Sequence, residues 1–540
     1  MLSYQDQNIT TLLVQLLALP IIFLTAWLTI SYTRILLLRR RLPSGPFPLP
    51  FLGNYFDMRM KRPWIHWERL ARQYQAPLMT LWNGHRPVIV CSDAWVISEL
   101  FEKRASIYSS RPRMVCMGDL TNTSENNQVC LKYGERWRVH RRLTHTAVGT
   151  QSLKPHRPFQ SDESTILLRD ILLQPSSYVP AIERYSCSVV SIIGWGRRID
   201  RLNDQVAQMA LAFMEVVNAV IPGQAMMEIM PWLTRLPAWV NPLPGRVLAE
   251  ATRHTRYFYE MTKESAETRA EGSFSKRLMR EKEESGLTWK EVGNLTSNLI
   301  GGGVDTTSSS MVSLILAMCC FPEKQRNAQE ELDRVVGQTR MPTWEDEGSL
   351  PYLTATVSEV LRWRTVTVLG GLPHAPIQDD EYQGYFIPKD TWIVGNIWAI
   401  HRNPRDYPEP DEFRPERFLR GLERPHPSKK GHSAFGWGRR QCSGQPLAEQ
   451  GLWLVTARLL WAFDIKPGVD EEGDEIPLDI FAYTASENQR PEPFEARFIP
   501  RSAEIEKMIL TEAEAARERL RGYDGEPKIK LDDIPSLHLD

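Results

Sequence analysis

The ten residues Phe435–Gly444, FGWGRRQCSG, constrain the fold of this 540-residue chain more than any other stretch. They place Cys442 in a loop with three glycines, which allow tight turns and a close approach of the backbone to a flat ligand. Arg439 and Arg440 precede the cysteine, and cationic side chains favour a thiolate over a thiol. A thiolate on such a loop suits a single axial bond to a haem iron. For any one cysteine taken alone, a buried structural role is the alternative.

Composition narrows the class of protein. The net charge is −1, which gives no indication of a nucleic-acid partner. The seven cysteines contain no Cys-x-x-Cys pair and resemble no disulfide framework, so we expect a reducing compartment for the main body.

The N-terminus predicts a membrane anchor. Residues 9–30 form an apolar run of about the ~20 residues that a transmembrane helix needs. A signal peptide is the alternative, but no small-residue cleavage site follows the run. Arg34 and Arg39 to Arg41 follow it, whereas residues 1–8 contain no Lys or Arg. The positive-inside rule therefore predicts a lumenal segment 1–8, a single-pass signal anchor 9–30 and a cytosolic body.

The rest of the chain divides into three parts. Residues 31–50 are basic and proline-rich, and we expect them to act as a stiff hinge. Residues 51–500 are the globular body. Residues 501–540 predict a charged helix followed by a solvated tail. Within the body, Trp232 and Trp239 lie between two helical stretches, where we favour membrane contact over a packed loop.

One long helix is predicted at the centre of the body. Thr288 to Glu291 form a capping box, and the apolar pattern then continues to Cys320, before Phe321-Pro322. Its middle reads GGGVDTT from Gly301 to Thr307, although each glycine destabilises a helix interior by ~1 kcal/mol relative to alanine. A phosphate loop is the alternative, but the Gly-Lys-Ser/Thr sequence and the preceding strand are both missing. Close approach of a flat cofactor explains the glycines better.

Two pairs of side chains at helical spacing are further candidate functional positions. Trp137 and Arg141 lie four residues apart, so an indole N–H and a guanidinium can reach one anionic group. A basic solvated helix is the alternative. Glu359 and Arg362 can pair at i,i+3 on a helix that begins after Leu350, although any helix surface allows such a pair.

The motifs resemble those of the cytochromes P450 and follow that family's order along the chain, over roughly residues 43 to 500. The chain resembles the microsomal type of the family. The local sequence around His374 and Trp437 is most similar to fungal members that oxidise secondary metabolites, such as the O-methylsterigmatocystin oxidoreductase group. The resemblance implies a mainly α fold with a small β region, preceded by the transmembrane helix. Trp437 and Ser443 stand where the family usually has phenylalanine and proline. These departures leave open how the protein tunes the redox potential of the iron, but they do not change the expected ligation of the iron.

The resemblance also implies roles for particular residues. Cys442 would be the axial ligand of haem b. Asp305 and Thr306 would be the catalytic pair that delivers protons where O₂ is activated. The implied haem-binding residues are Trp137, Arg141, Gly302, Gly303, His374, Phe435, Arg440 and Cys442. Glu359, Arg362 and Arg417 would form a buried structural network behind the cysteine loop. For His374, a histidine simply satisfied in place is the alternative.

The implied reaction inserts one atom of O₂ into an apolar small molecule, by hydroxylation, epoxidation or several successive oxidations. No dinucleotide-binding motif is present and no flavin domain fits after residue 500, so electrons from NADPH must come through a partner. We expect NADPH–cytochrome P450 reductase, with cytochrome b5 as a further donor, at the endoplasmic reticulum membrane. Five basic residues near the cysteine loop form a candidate docking patch, with ordinary surface charge as the alternative: Arg138, Arg142, Lys429, Lys430 and Arg439.

Two other functions share this pattern. An isomerase or dehydratase of the same fold would not use O₂, and the Asp305-Thr306 pair argues against it. A non-enzymatic haem sensor would need only the ligand loop and would gain nothing from that pair.

Overall fold

A computed structural model of the chain describes residues 2–201, 203–219, 225–268 and 273–535. Its helices of eight or more residues are α1 (Leu2–Arg39), α2 (Pro63–Gln73), α3 (Glu135–Val148), α4 (Leu153–Leu173), α5 (Tyr178–Trp195), α6 (Gln205–Ala219), α7 (Leu243–Thr268), α8 (Phe274–Ser285), α9 (Trp289–Cys320), α10 (Pro322–Val335), α11 (Pro351–Trp363), α12 (Gln445–Ala462) and α13 (Ala503–Leu520). Shorter helices are Tyr55–Met58, Ala94–Ser98, Ala105–Tyr108, Met226–Ile229, Ile397–Ile400 and Glu416–Leu419.

The strands are few and short. They are β1 (Leu78–Asn83), β2 (Arg86–Cys91), β3 (Asp380–Tyr382), β4 (Tyr385–Ile387), β5 (Trp392–Gly395), β6 (Phe463–Pro467) and β7 (Ala496–Pro500). In the largest sheet β1 pairs antiparallel with β2, with Leu78 opposite Cys91, and β2 pairs parallel with β5. The pairs β3–β4 and β6–β7 are antiparallel. The predicted fold class, mainly α with a small β region, is confirmed.

Helix α9 runs through the core, as predicted. The side chain of Thr288 accepts the Glu291 amide, and Glu291 accepts the Thr288 amide at 2.8 Å, which completes the capping box. Pro322 begins α10 immediately after Phe321 because it lacks the N–H that would continue α9. Most of α9 is buried against α5, α6 and α7. A helix buried on nearly all sides can hold one segment in a fixed position beside a site.

The glycines of α9 serve helix packing as well as the site. A Cβ on Gly303 would overlap Val190 of α5, and one on Gly301 would lie 2.8 Å from Met214 Sδ of α6. A Cβ on Gly302 would meet nothing within 4 Å. Close approach of a cofactor is therefore an incomplete explanation, because two of the three glycines let neighbouring helices pack closely.

The N-terminal helix extends beyond the predicted anchor. α1 is continuous from Leu2 to Arg39, so it contains the predicted span 9–30 and continues into the predicted hinge. Its segment Ile22–Arg39 is apolar enough to cross a membrane and is only 6% buried, which fits an N-terminal anchor. Near its end, Ile35 packs in a buried cluster with Leu78 and Trp82 of β1. The anchor thus joins the body at the first sheet.

The C-terminal tail packs against the body. Helix α13 forms as predicted, and residues 521–535 are mostly exposed but make a few contacts with the body. Ile534 is 6% exposed in a cluster with α6 and α7, and the Lys528 amide donates to Glu264 of α7 at 3.0 Å. The charged composition of this segment conceals its few apolar side chains. Residues 536–540 lie outside the described residues.

Candidate active site

A cavity of about 460 Å³ lies between α9 and the cysteine loop. Side chains from α3, from the segment after α11 and from residues 487 and 488 complete its wall. Among the predicted site residues, the structure brings the following to this wall: Trp137, Arg141, Gly302, Gly303, Thr306, His374, Phe435, Arg440 and Cys442. Asp305 is buried in α9, next to this wall.

The cysteine loop is closed by a backbone hydrogen bond and two left-handed glycines. The Cys442 amide donates to the Phe435 carbonyl at 2.9 Å. Gly436 and Gly438 have φ of 72° and 55°, and a Cβ on Gly438 would overlap the Phe101 carbonyl oxygen. The loop therefore presents Cys442 to the cavity, and the exposed surface of this side chain faces it.

Trp437 occupies space that two glycines leave open. Its indole is 4% exposed and meets Phe101 edge to face, with the ring centroids 5.8 Å apart. A Cβ on Gly395 of β5 would overlap this indole, and one on Gly370 would lie 2.8 Å from it. The departure from phenylalanine is thus matched by small residues in two neighbouring segments.

The predicted stabilisation of the thiolate by Arg439 and Arg440 is wrong. Burial raises the pKa of the Cys442 thiol, whereas the Gly444 and Gln445 amides and the Arg141 guanidinium oppose that rise. Arg439 instead donates to the Tyr133 hydroxyl at 2.8 Å, and Arg440 points to backbone carbonyls. Both side chains therefore bond to groups other than the sulfur.

Three guanidinium groups lie close together at one side of the cavity. Arg440 donates to the carbonyls of Ser109, Gln128 and Leu131 at 2.8, 3.2 and 2.6 Å. It also stacks on Trp137, with Cζ 4.6 Å from the ring centroid. Burial, together with the nearby Arg111 and Arg141, lowers the pKa of Arg440 to about 8. Because these neighbouring guanidinium groups repel one another, an anion bound between them would be stabilised.

The position of Arg111 at the cavity was not predicted from the sequence. It is buried, lines the cavity and donates to the carbonyls of Val129, Leu372 and Pro373. Burial lowers its pKa to about 10. No sequence signal marks it, because it lies before Pro112 in a loop without periodicity.

Ser443 connects the cysteine loop to α3. Arg141 Nη1 donates to the Ser443 hydroxyl at 2.6 Å, and Gln128 Nε2 donates to it at 3.4 Å. Gln128 in turn accepts from Thr144 of α3 at 2.6 Å. A proline at position 443 would remove this acceptor, so the departure from the family pattern has a structural partner in Arg141.

His374 is held as a neutral ring. Its Nδ1 lies 2.9 Å from the Tyr108 carbonyl, and its ring stacks on Phe101 at 3.8 Å. Burial lowers its pKa well below the usual value. Since a carbonyl only accepts, Nδ1 carries the proton and Nε2 is an acceptor. This tautomer has no ring N–H to offer a carboxylate, so the propionate role of His374 stays a prediction.

The acid–alcohol pair has different partners. Thr306 donates to the Gly302 carbonyl at 2.6 Å, within its own helix. Asp305 Oδ2 accepts from Asn488 Nδ2 at 3.4 Å, and Asn488 Oδ1 accepts from Thr367 at 2.9 Å. The Thr306 oxygen keeps acceptor capacity at the cavity wall.

The three predicted network residues are in contact behind the loop. Arg362 makes a bidentate pair with Glu359, both distances being 2.7 Å, and Arg417 Nε lies 3.3 Å from the same carboxylate. All three side chains are buried. His401, which no sequence motif marks, extends the network. Its Nδ1 lies 3.1 Å from the Arg362 carbonyl, and its Nε2 accepts the Ser433 amide at 2.8 Å. His401 thereby connects the Glu359–Arg362 ion pair to Ser433, two residues before the cysteine loop.

A model of the family described as Cytochrome P450 matches residues 43–489. The chain belongs to the cytochrome P450 family. Tryptamine 4-monooxygenase from Psilocybe cyanescens is 35% identical over 489 residues, covering 87% of this chain and 95% of that protein. Cytochrome P450 monooxygenase 58 from Postia placenta is 33% identical, covering 87% and 91%. Cytochrome P450 monooxygenase claR from Ampulloclitocybe clavipes is 32% identical, covering 94% and 95%. This P450 is a haem-thiolate monooxygenase that receives electrons from a reductase partner.

The cavity fits the haem b that the family implies. It offers one cysteine side chain on a closed loop, opposite the part of α9 where Gly302 leaves the backbone open. The three guanidinium groups, Arg111, which is buried, and Arg141 and Arg440, which are partly buried, suit the two propionate carboxylates. The residues present therefore match both the metal and the anionic edge of the group.

Proposed function

We propose that this P450 oxidises an apolar small molecule in fungal secondary metabolism, at the endoplasmic reticulum membrane, with electrons from NADPH–cytochrome P450 reductase and cytochrome b5. One observation carries the proposal: the Cys442 side chain and three guanidinium groups line a single cavity beside α9. When bound, haem supplies the activation of O₂ for insertion of one oxygen atom. The residues of the chain bind the haem, orient the substrate and supply protons at the reacting side.

Each residue contributes a separate task. Cys442 binds the iron, and Trp137, Arg141 and Arg440 hold the propionates, with Arg111 as an added partner. Thr306 accepts a hydrogen bond at the reacting side and passes a proton on, while Asp305 sets the position of that segment through Asn488. Glu359, Arg362 and Arg417 hold the cysteine loop in place and touch no reacting atom.

The remaining wall favours an apolar substrate. Aliphatic side chains from four segments line the cavity: Val189, Val190, Leu299, Leu361, Val366 and Leu372. They exclude water, which otherwise delivers protons without control. The name of one relative says that it acts on tryptamine, which supports a small-molecule substrate here.

A basic surface near the cysteine loop supports reductase docking. Arg138 and Arg439 both lie over the Tyr133 ring, at 5.2 and 5.0 Å from its centroid, so α3 and the cysteine loop present their cations together. Lys430 pairs with Glu449 at 3.2 Å and is partly neutralised. The two arginines are the part of the patch where opposite charge on a partner would be best recognised.

The anchor and the exposed tryptophans support one membrane-facing side. Trp232 and Trp239 are 55% and 86% exposed. The neighbouring Ile229 approaches Gly84 at the tip of the β1–β2 hairpin, and the end of α1 packs on the same sheet. Both candidate membrane contacts therefore attach to one structural element.

Carbon monoxide spectroscopy and reconstitution test this function. Reduced, CO-bound protein should show the strongly red-shifted Soret band of a thiolate haem, and Cys442→Ala should lose it. With reductase and fungal metabolite extract, NADPH consumption should yield an oxygenated product that contains one atom from ¹⁸O₂. Persistence of the thiolate band in the Cys442→Ala variant would contradict the ligand. Product without ¹⁸O would contradict monooxygenation.

A further inference from the structure

The cavity contains one acid that the proposed roles do not use. Glu487 lies in the segment between β6 and β7, next to Asn488, and lines the same cavity as Thr306. Its backbone carbonyl accepts the Val368 amide at 3.2 Å, and Thr367 forms a bridge with Asn488. The segment is thus fixed against the cavity wall, and its position does not depend on the Glu487 side chain.

The carboxyl group of Glu487 is poorly satisfied. Its Oε1 atom is buried and has no hydrogen-bond partner among the described residues. Burial raises the pKa of Glu487 to about 8, although the Gly371 amide and Arg111 both act in the opposite direction. A buried carboxyl oxygen without a hydrogen-bond partner, such as Oε1, costs free energy unless a ligand satisfies it.

The polar side chains next to Glu487 make hydrogen bonds to other groups. The Arg111 guanidinium donates to three backbone carbonyls. The Asn488 amide bonds Asp305 on one side and Thr367 on the other. Among the residues that line the cavity in the described part of the chain, Glu487 is the only acid. A positive group in the cavity would find its best partner at this carboxyl.

We propose that Glu487 binds a protonated basic nitrogen of the substrate and so holds the molecule against α9. This inference rests on the proposed function and adds to it a substrate class: small apolar molecules that carry one amine. The apolar wall accepts the carbon skeleton, and the single carboxylate fixes its orientation. A neutral donor such as a hydroxyl would gain less, since it brings no charge to the carboxylate.

Paired probes test the charge requirement. N,N-dimethyl-2-phenylethylamine is protonated at pH 7.5, and this leaves its nitrogen no lone pair for the iron. Its neutral counterpart is (3-methylbutyl)benzene, in which a carbon replaces the nitrogen. Equilibrium dialysis on the haem-loaded full chain gives both dissociation constants. The wild type should bind the amine at least tenfold more tightly than the hydrocarbon.

Matched variants assign that preference to one residue. Glu487→Gln keeps the shape and removes the charge, so it should weaken amine binding about tenfold and change hydrocarbon binding less than twofold. Glu492→Gln is the control, because Glu492 is exposed in the same segment and does not line the cavity. It should leave both constants unchanged.

Two outcomes overturn the inference. One is a wild type that shows no preference for the amine, whether it binds both probes or neither. The other is an amine preference that survives in Glu487→Gln. The proposed function has separate tests, since loss of the thiolate Soret band or of ¹⁸O incorporation contradicts monooxygenation without touching the binding preference.

Discussion

Thr306 has one hydroxyl group, and two roles compete for it. In the structure it donates to the Gly302 carbonyl, a bond that is common for threonine inside helices. Proton delivery requires that the same hydroxyl accept a hydrogen bond from the cavity and pass its own proton on. Because the oxygen keeps acceptor capacity while it donates, the two roles are compatible in one side chain.

We therefore predict that Thr306→Ala uncouples electron use from product formation. Haem content and NADPH oxidation should stay near wild type, while product per NADPH falls several-fold, a change of ~1–2 kcal/mol in the partition between pathways. Thr306→Ser is the control, since it keeps the hydroxyl and should retain most coupling. Product and peroxide are measured together with NADPH. Unchanged coupling in Thr306→Ala would leave this residue with a structural role only.

The pH dependence of amine binding gives a second prediction at the residue scale. A cationic ligand binds the ionised form of Glu487, whose pKa burial raises to about 8. Below that pH the carboxyl is mostly protonated and must lose its proton before it can pair. The dissociation constant of N,N-dimethyl-2-phenylethylamine should therefore fall by about 15- to 25-fold between pH 6.5 and 8.5. In Glu487→Gln it should stay level, and a parallel slope in both proteins would refute the assignment.

Residue types that recur in motifs were predictable, whereas their partners were not. The positions of Cys442 and Thr306 at one cavity followed from the cysteine loop and from the capped, apolar pattern of α9. Arg111, His401 and Glu487 carry no local pattern, because their roles come from burial and from distant backbone carbonyls that only the fold brings near. The Arg439 and Arg440 assignment failed for the same reason, since sequence distance from Cys442 did not determine their direction.

Elements were predicted better than their contacts. The long helix and α13 form where periodicity and caps place them. The docking of residues 521–535 on α7 was not visible, because a few apolar side chains in a charged segment resemble a solvated tail. The packing of Gly303 against Val190 was equally hidden, since a glycine inside a helix can serve a ligand or a neighbouring helix.

At the element scale, the contact between β5 and the cysteine loop gives a third prediction. Gly395→Ala would place a methyl group inside the Trp437 indole, so the loop must shift. Overpacking of this kind typically costs ~1–3 kcal/mol, and we expect a lower Tm and weaker haem retention. Adding Trp437→Phe should restore part of both, because the smaller ring leaves room.

Gly348→Ala is the matched control for that series. A Cβ there meets nothing within 4 Å, so Tm and haem retention should stay at wild type. Thermal unfolding and haem absorbance measure both properties. If Gly395→Ala behaves like Gly348→Ala, or if Trp437→Phe gives no rescue, the steric match between strand and loop is not what holds Trp437.

At the scale of the whole molecule, the anchor and the body are joined at one sheet. Ile35 and Leu42 are buried against β1 and β2, so the last part of α1 belongs structurally to the body. The part that is free to enter a membrane lies before it. A truncation designed to test anchoring should therefore stop before Ile35, which keeps the buried contacts intact.

Our last prediction is that deleting residues 1–30 releases much of the protein from membranes while the haem domain stays folded. The nine helical residues that remain, 31 to 39, are far short of the ~20 needed to span a bilayer. Residual binding should depend on Trp232 and Trp239, so replacing both with alanine in the truncated chain should bring it close to zero. Trp95→Ala is the control, because Trp95 is 46% exposed in the short helix Ala94–Ser98 and has no proposed membrane role. Membrane flotation measures binding, and the CO-bound Soret band verifies folding. Full membrane retention after the deletion would show that α1 is dispensable, and equal effects of Trp95 and the tryptophan pair would remove the second contact.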